Sequence, residues 1–313
     1  MLPHPEEEVF DQGLAFDLET MNRRRMLRFL GAGAGVAVLA ACSSDSTSVN
    51  SATSTSASST GGTSSASSSN SSGDLTEIPD ETAGPYPGDG SNGANVLTED
   101  GVVRQDIRSS FGDSTTTAEG VPATIELTIL DMANDNAPFA GVAVYVWHCN
   151  RDGNYSLYSS GIENENYLRG VQIADADGKV SFTSLFPACY SGRWPHIHFE
   201  VYPDQASITD SSNAIATSQI AIPQAQAEAV YATTGYEQSV TNLSQLSLSS
   251  DNVFGDDSAA SQLATMSGDV SKGYSIALTA AVDTSTEPTG GAAPGGGEGP
   301  GGGAPPGQSS TSS

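Results

Sequence analysis

The chain has 313 residues, with 37 acidic side chains against 11 basic ones and a formal net charge of −26. A field of that sign repels nucleic acid, whose binding needs clustered Lys and Arg, so nucleic acid is excluded as a partner. Two segments, 43–73 and 286–313, consist largely of Ser, Thr, Ala, Gly and Pro. They hold too little apolar surface to offset the entropy of ordering a chain, and one folded unit, 74–285, remains.

Taken from the amino end, residues 22–28 read NRRRMLR, and an apolar run follows from Phe29 to Ala41. A basic stretch, a short apolar stretch and small residues before a cut describe an export signal. The run is about 13 residues, shorter than the roughly 20 that span a bilayer. Arg23 and Arg24, followed by Arg25, Met26 and Leu27, resemble a twin-arginine signal. Leu39–Cys42 (LAAC) resembles a bacterial lipobox, in which Cys42 becomes the lipidated first residue of the mature chain. Residues 1–42 are thus read as an N-terminal extension plus signal, with either Met1 or Met21 as the start. The expected product is an exported, membrane-anchored lipoprotein of the cell envelope, with 43–73 as a disordered tether. Setting Cys42 aside, Cys149 and Cys189 remain, an even pair that is a candidate disulfide in an oxidising compartment.

From about 122 the apolar residues alternate or cluster in short runs. Thr124–Leu130 (TIELTIL) alternates with period two, and Val142–Trp147 (VAVYVW) is a β-branched and aromatic run. Lys179–Phe182, His196–Tyr202 (HIHFEVY) and Tyr274–Ala280 are further strands. Turn signals separate them at Asn134–Asn136, Asp152–Asn154, Asp175–Gly178 and Pro203–Asp204. Pro223–Tyr231 reads as one helix with Pro223 in its first turn. The expected fold is all-β: a β-sandwich core with short helical segments and disordered N- and C-terminal tails.

The chain has four histidines, and two of them form His196-Ile197-His198 on a predicted strand. Residues two apart on a strand share a face, with Cα atoms about 6.5–7 Å apart, so two imidazoles reach one metal ion. Ile197, Phe199 and Val201 then face the core. The neighbouring segments read YVWHCNRDGNYSLY (145–158) and FPACYSGRWPHIHF (186–199), and an upstream segment, Glu81–Tyr86, reads ETAGPY. Together these resemble the intradiol ring-cleavage dioxygenases, the protocatechuate and catechol dioxygenase family. The likeness runs from about 80 to 283 and is most specific over 145–202. Tyr155 matches the family's first tyrosine, through Trp147 and Gly153. Tyr190 matches the second, through Pro187, and Arg193, His196 and His198 match the rest.

The resemblance implies a non-haem Fe(III) bound by Tyr155, Tyr190, His196 and His198. It implies a catechol-type substrate, cleaved with dioxygen between its two hydroxyl-bearing carbons to a muconate-type diacid. Tyr190 would yield to the substrate and accept its proton, and Arg193 would stabilise negative charge on the ring. The donor chemistry agrees. Phenolate oxygens are hard ligands, and a metal cation lowers a phenol pKa that is ordinarily about 10. His148 is read as outside the site, and Asp175–Gly178 as a hairpin turn. The resemblance leaves the oligomeric state at monomer or dimer. A competing expectation is a non-catalytic metal- or ligand-binding β-sandwich lipoprotein. A copper site of that kind wants further histidines, and only His148 is available.

Overall fold

A computed structural model describes residues 75–290. The signal, Cys42 and the tether lie outside the described residues. Among the described residues nine strands form two sheets: β1 (Pro122–Asp131), β2 (Ala137–Pro138), β3 (Ala143–Trp147), β4 (Arg169–Ile173), β5 (Lys179–Leu185), β6 (His196–Tyr202), β7 (Ala216–Ala221), β8 (Thr265–Asp269) and β9 (Gly273–Val282). In one sheet β1 is central, with β5 and the short β2 antiparallel on one side. On the other side β9 runs parallel to β1 and β8 follows it. The second sheet is antiparallel, ordered β4-β3-β6-β7. Two helices, α1 (Gln224–Tyr231) and α2 (Glu237–Leu243), follow β7. Pro223 caps the first, as its fixed φ allows. Among the described residues no helix is long and apolar enough to cross a membrane.

The two sheets differ in what covers them. β1 alternates buried and accessible residues over most of its length, the pattern of a sheet with one wet face. Ile125, Leu127 and Ile129 point inward to meet Val144, Val146, Ile197, Phe199 and Val201 of the second sheet, forming the main core. Every residue of β3 and of β6 is buried. The outer faces of these strands carry Tyr145, Trp147 and Tyr202, which pack in a second cluster with Ala83, Val96, Leu97 and Val102. The segment before β1 thus forms a third layer over the second sheet. It is pinned along β7 by Glu81 N–H donating to Thr217 O (2.7 Å) and Ser218 Oγ donating to Pro79 O (2.7 Å). Between this layer and β6 lie the odd-patterned side chains His196 and His198.

Residues 286–290, expected to belong to the tail, extend the described chain. Thr286 Oγ1 donates to Glu77 Oε1 (2.7 Å), and Thr289 N–H donates to Asp80 Oδ2 (2.6 Å). Backbone and hydroxyl donors order this stretch without apolar burial, and composition does not register such bonds.

His148, directly after β3, ties the sheets together. Its Nε2 lies 2.7 Å from Ser184 Oγ on β5 and its Nδ1 lies 2.8 Å from Cys149 O. Burial pushes its pKa down to about 4 from 6.5. A histidine with a lowered folded pKa contributes stability that is full above its unfolded pKa and is lost as pH falls through that window. The wild type is therefore expected to lose about 2–3 kcal/mol between pH 6.5 and 4 through this residue, at about 1.4 kcal/mol per pKa unit. Denaturation of wild type and His148→Gln across that range checks it. The variant's profile is expected to be flatter by this amount, and parallel profiles contradict it.

Candidate metal centre

The first tyrosine is placed by a turn. Asn150 accepts at Oδ1 from Asp152 N–H (3.0 Å) and Asn154 N–H (2.9 Å), and its own N–H donates to Asn154 O (2.8 Å). Gly153 sits inside this turn at φ +84°, and a Cβ there would lie 3.2 Å from Tyr190 Cβ. Glycine therefore serves twice, in adopting a left-handed φ and in letting the two tyrosine segments approach. Beyond the turn, Tyr155 N–H donates to Ser159 Oγ (2.9 Å). The Tyr155 ring is 2% exposed, and its hydroxyl has no hydrogen-bond partner.

The histidines come from β6, on the face opposite Ile197. His196 Nδ1 lies 2.5 Å from Trp194 O, and a carbonyl only accepts, so Nδ1 carries the proton and Nε2 presents a bare lone pair. That Nε2 is 3.1 Å from His198 Nε2 and 3.2 Å from the hydroxyl of Tyr190, which is half-buried. His198 stacks on Trp147 with ring centroids 4.8 Å apart and planes 7° apart. Its Nδ1 has no partner. Gly84, at φ +71°, faces it, and a Cβ there would come within 3.3 Å of His198 Cε1. The Tyr155 ring meets Tyr190 edge-on at 5.9 Å and His198 at 6.3 Å. Two imidazole nitrogens and the Tyr190 hydroxyl thus converge, with the Tyr155 ring packed beside them.

The electrostatics suit a cation. Burial, aided by the Arg193 charge, lowers the His196 pKa to about 3, and burial drives His198 well below its ordinary value. Both rings are neutral at neutral pH, the state that ligates metal. Burial pushes the Tyr155 phenol well up. A buried hydroxyl with no partner costs about 1–3 kcal/mol, and coordination by a metal would remove that cost. Among the described residues no three His, Cys, Asp or Glu side chains gather as a metal site. The two histidines therefore need the tyrosines to complete a donor set, and that set of two hard oxygens and two imidazoles fits a trivalent iron.

Arg193 lies beside these donors, 3% exposed. Its Nε donates to Asp251 Oδ2 (3.1 Å) and its Nη2 to Gln219 Oε1 (2.7 Å). Gln219 Nε2 in turn donates to Thr82 O (2.9 Å), tying the 81–86 segment to the site. Within that segment the Tyr86 ring lies 4.9 Å from that of Tyr155.

Residues 103–199 match the family model described as Dioxygenase. An intradiol ring-cleavage dioxygenase from Tetranychus urticae superposes with a TM-score of 0.52 at 22% identity, covering 67% of this chain and 96% of that one. The fold is that of an intradiol ring-cleavage dioxygenase. Chlorocatechol 1,2-dioxygenase of Rhodococcus opacus is 38% identical over 53 residues, covering 17% of this chain and 21% of the relative. Catechol 1,2-dioxygenase 2 of Acinetobacter lwoffii is 42% identical over 57 residues, 18% and 20% respectively. These alignments span about a fifth of the length of the curated relatives they match.

In this dioxygenase fold the structure brings together Tyr155, Tyr190, His196, His198 and Arg193, all named from sequence, and holds both ring nitrogens of His148 on Cys149 O and Ser184 Oγ. It adds Gln219 and Asp251, which the sequence did not flag. Gln219 lies in a strand whose apolar alternation is weak, and Asp251 in a Ser-rich loop, so neither carried a signal. The candidate disulfide is corrected: Cys149 and Cys189 are buried free thiols. Cys149 Sγ points to Ala188 O (3.7 Å) and Cys189 Sγ to Arg193 O (3.5 Å), so each thiol is directed at a carbonyl. An even cysteine count carries no geometric information, and here packing decided otherwise.

Proposed function

We propose that the protein is a non-haem iron(III) dioxygenase that opens the ring of catechol-type substrates between the hydroxyl-bearing carbons. The observation that carries this reading is the meeting of Tyr190 Oη with the Nε2 atoms of His196 and His198, beside a Tyr155 ring that packs edge-on against Tyr190 and His198 with its hydroxyl buried and unpartnered. Those four side chains would hold the metal. Bound there, Fe(III) would favour the catechol dianion and make its ring electron-rich enough to react with dioxygen.

The chain's own groups supply the rest. Tyr190 is the most accessible of the four donors and is suited to accept a catechol proton on its phenolate. Tyr155, buried and edge-packed, stays in place. Trp147 fixes the plane of His198. Arg193, always charged, sits beside the donors to stabilise negative charge on the ring. Both oxygen atoms enter the product, so one catechol and one dioxygen give one muconate-type diacid.

The two guanidiniums nearest the site are already engaged. Arg193 pairs with Asp251, and Arg169 donates to Tyr86 O, Pro87 O and Ser156 O. The test is turnover of catechol by iron-loaded protein under labelled dioxygen. The expected result is one dioxygen consumed per catechol and two labelled atoms in a ring-opened diacid. No uptake from fully loaded protein would leave a metal- or ligand-binding module as the better account.

The NRRRMLR and LAAC segments support placing this activity outside the cytoplasm, on a lipid attached to Cys42. Release of the exported protein from membranes by Cys42→Ser is the expected consequence, and unchanged membrane retention contradicts it.

A further inference from the structure

One carboxylate, from a loop more than fifty residues away in sequence, reaches both flanks of the donor cluster. Asp251 follows a short helical turn (Leu248–Ser250), and its side chain is fully buried. Oδ1 accepts from the N–H groups of Val253 (2.9 Å) and Phe254 (3.0 Å), which fix the carboxylate in its own loop. Oδ2 accepts from Arg193 Nε (3.1 Å) and from Trp194 N–H (2.7 Å). The carbonyl of the same residue, on the next peptide along, accepts the His196 Nδ1 proton. Arg193 is held on its far side by Gln219.

We propose that Asp251 is a positioning residue of this site. It sets the Arg193 guanidinium and, through the backbone of Trp194, the orientation and tautomer of His196. The inference rests on the metal-centre reading for its catalytic consequence, although not for its geometric one. A carboxylate suits the task because it accepts several donors at once and its charge balances a buried guanidinium. Two functions converge on it. Arg193 needs a fixed plane to act on developing charge, and His196 needs Nδ1 protonated so that Nε2 stays bare. Fixing a ligating imidazole through its other nitrogen is a general device of metal sites. Here that bond ends on the backbone carbonyl of Trp194, and Asp251 anchors the N–H on the other side of the same residue.

The test uses Asp251→Asn, which keeps the shape and one acceptor but loses the charge, and Asp251→Glu, which keeps the charge and moves it by one methylene. In metal-free wild type, nitrogen NMR is expected to show His196 protonated at Nδ1 and a slowly exchanging Arg193 Nε–H. In a folded Asp251→Asn the tautomer preference weakens and the Arg193 proton exchanges faster. In iron-loaded protein kcat for catechol falls by about 10–100-fold while KM changes little, as expected for a misaligned electrostatic group. Should Asp251→Asn not fold, Asp251→Glu and the wild-type spectra decide. An Nε2-protonated His196 or a freely exchanging Arg193 in wild type would overturn the inference. So would a folded variant with the tautomer and kcat unchanged. Iron-loaded wild type that does not cleave catechol removes the proposed function, while the NMR arm still judges the positioning.

Discussion

Replacing Tyr155 by phenylalanine is expected to abolish ring cleavage and at the same time to stabilise the metal-free protein. The first effect follows from loss of a donor that no neighbour can replace. A fall in kcat/KM of about 10³ or more is expected, about 4 kcal/mol of transition-state stabilisation. The second follows from the unpartnered hydroxyl. Removing a buried polar group that has no hydrogen bond relieves about 1–3 kcal/mol of desolvation. A substitution that raises stability while destroying activity is the signature of a residue kept for function. Melting of the metal-free variant beside steady-state turnover of the loaded one measures both. A destabilised variant that still cleaves catechol would mean Tyr155 is a packing residue.

Replacing Arg169 by methionine has the largest expected effect on the fold. Arg169 opens β4 and is fully buried. It donates to Pro87 O (2.8 Å), Tyr86 O (2.8 Å) and Ser156 O (3.0 Å), and also to Ser156 Oγ (3.0 Å) and Tyr145 Oη (3.1 Å). It thereby joins the 81–87 layer to the residue after Tyr155. Methionine fills similar volume but leaves Tyr86 O and Ser156 O without these donors, while Pro87 O keeps only Tyr145 Oη. With two carbonyls losing their donors at about 1–3 kcal/mol each, a loss of about 3–5 kcal/mol is expected, or about 10 °C in Tm at about 2–4 °C per kcal/mol for a domain of this size. Because the damage is local, proteolysis should cut first between 85 and 95. A variant within about 1 kcal/mol of wild type would show that the layer is held without the Arg169 bonds, by apolar packing and its hydrogen bonds to β7.

Much of the site was legible because its residues sit where strand and turn chemistry is plain. HIHFEVY alternates, and its histidines share one face as period two requires. Gly153 announces the turn that delivers Tyr155. The regions that were not legible share a physical cause. β4 (RGVQI) and β7 (ATSQIA) lie in a sheet whose outer face is also covered, so their polar residues are buried without alternating. Arg169 and Gln219 look like surface residues in sequence and are interior hydrogen-bonding hubs in the structure. Asp251 works across sequence distance from a loop with no periodicity. The thiols show the converse, a count that suggested a bond the packing does not make.

The most direct measurement is the visible absorption spectrum of the iron-loaded domain, taken without oxygen before and after adding catechol. The account predicts a broad tyrosinate-to-iron(III) charge-transfer band that moves to longer wavelength with substrate and is lost in Tyr155→Phe. A protein that binds one iron per chain and stays colourless would contradict it, because phenolates would then not be among the ligands.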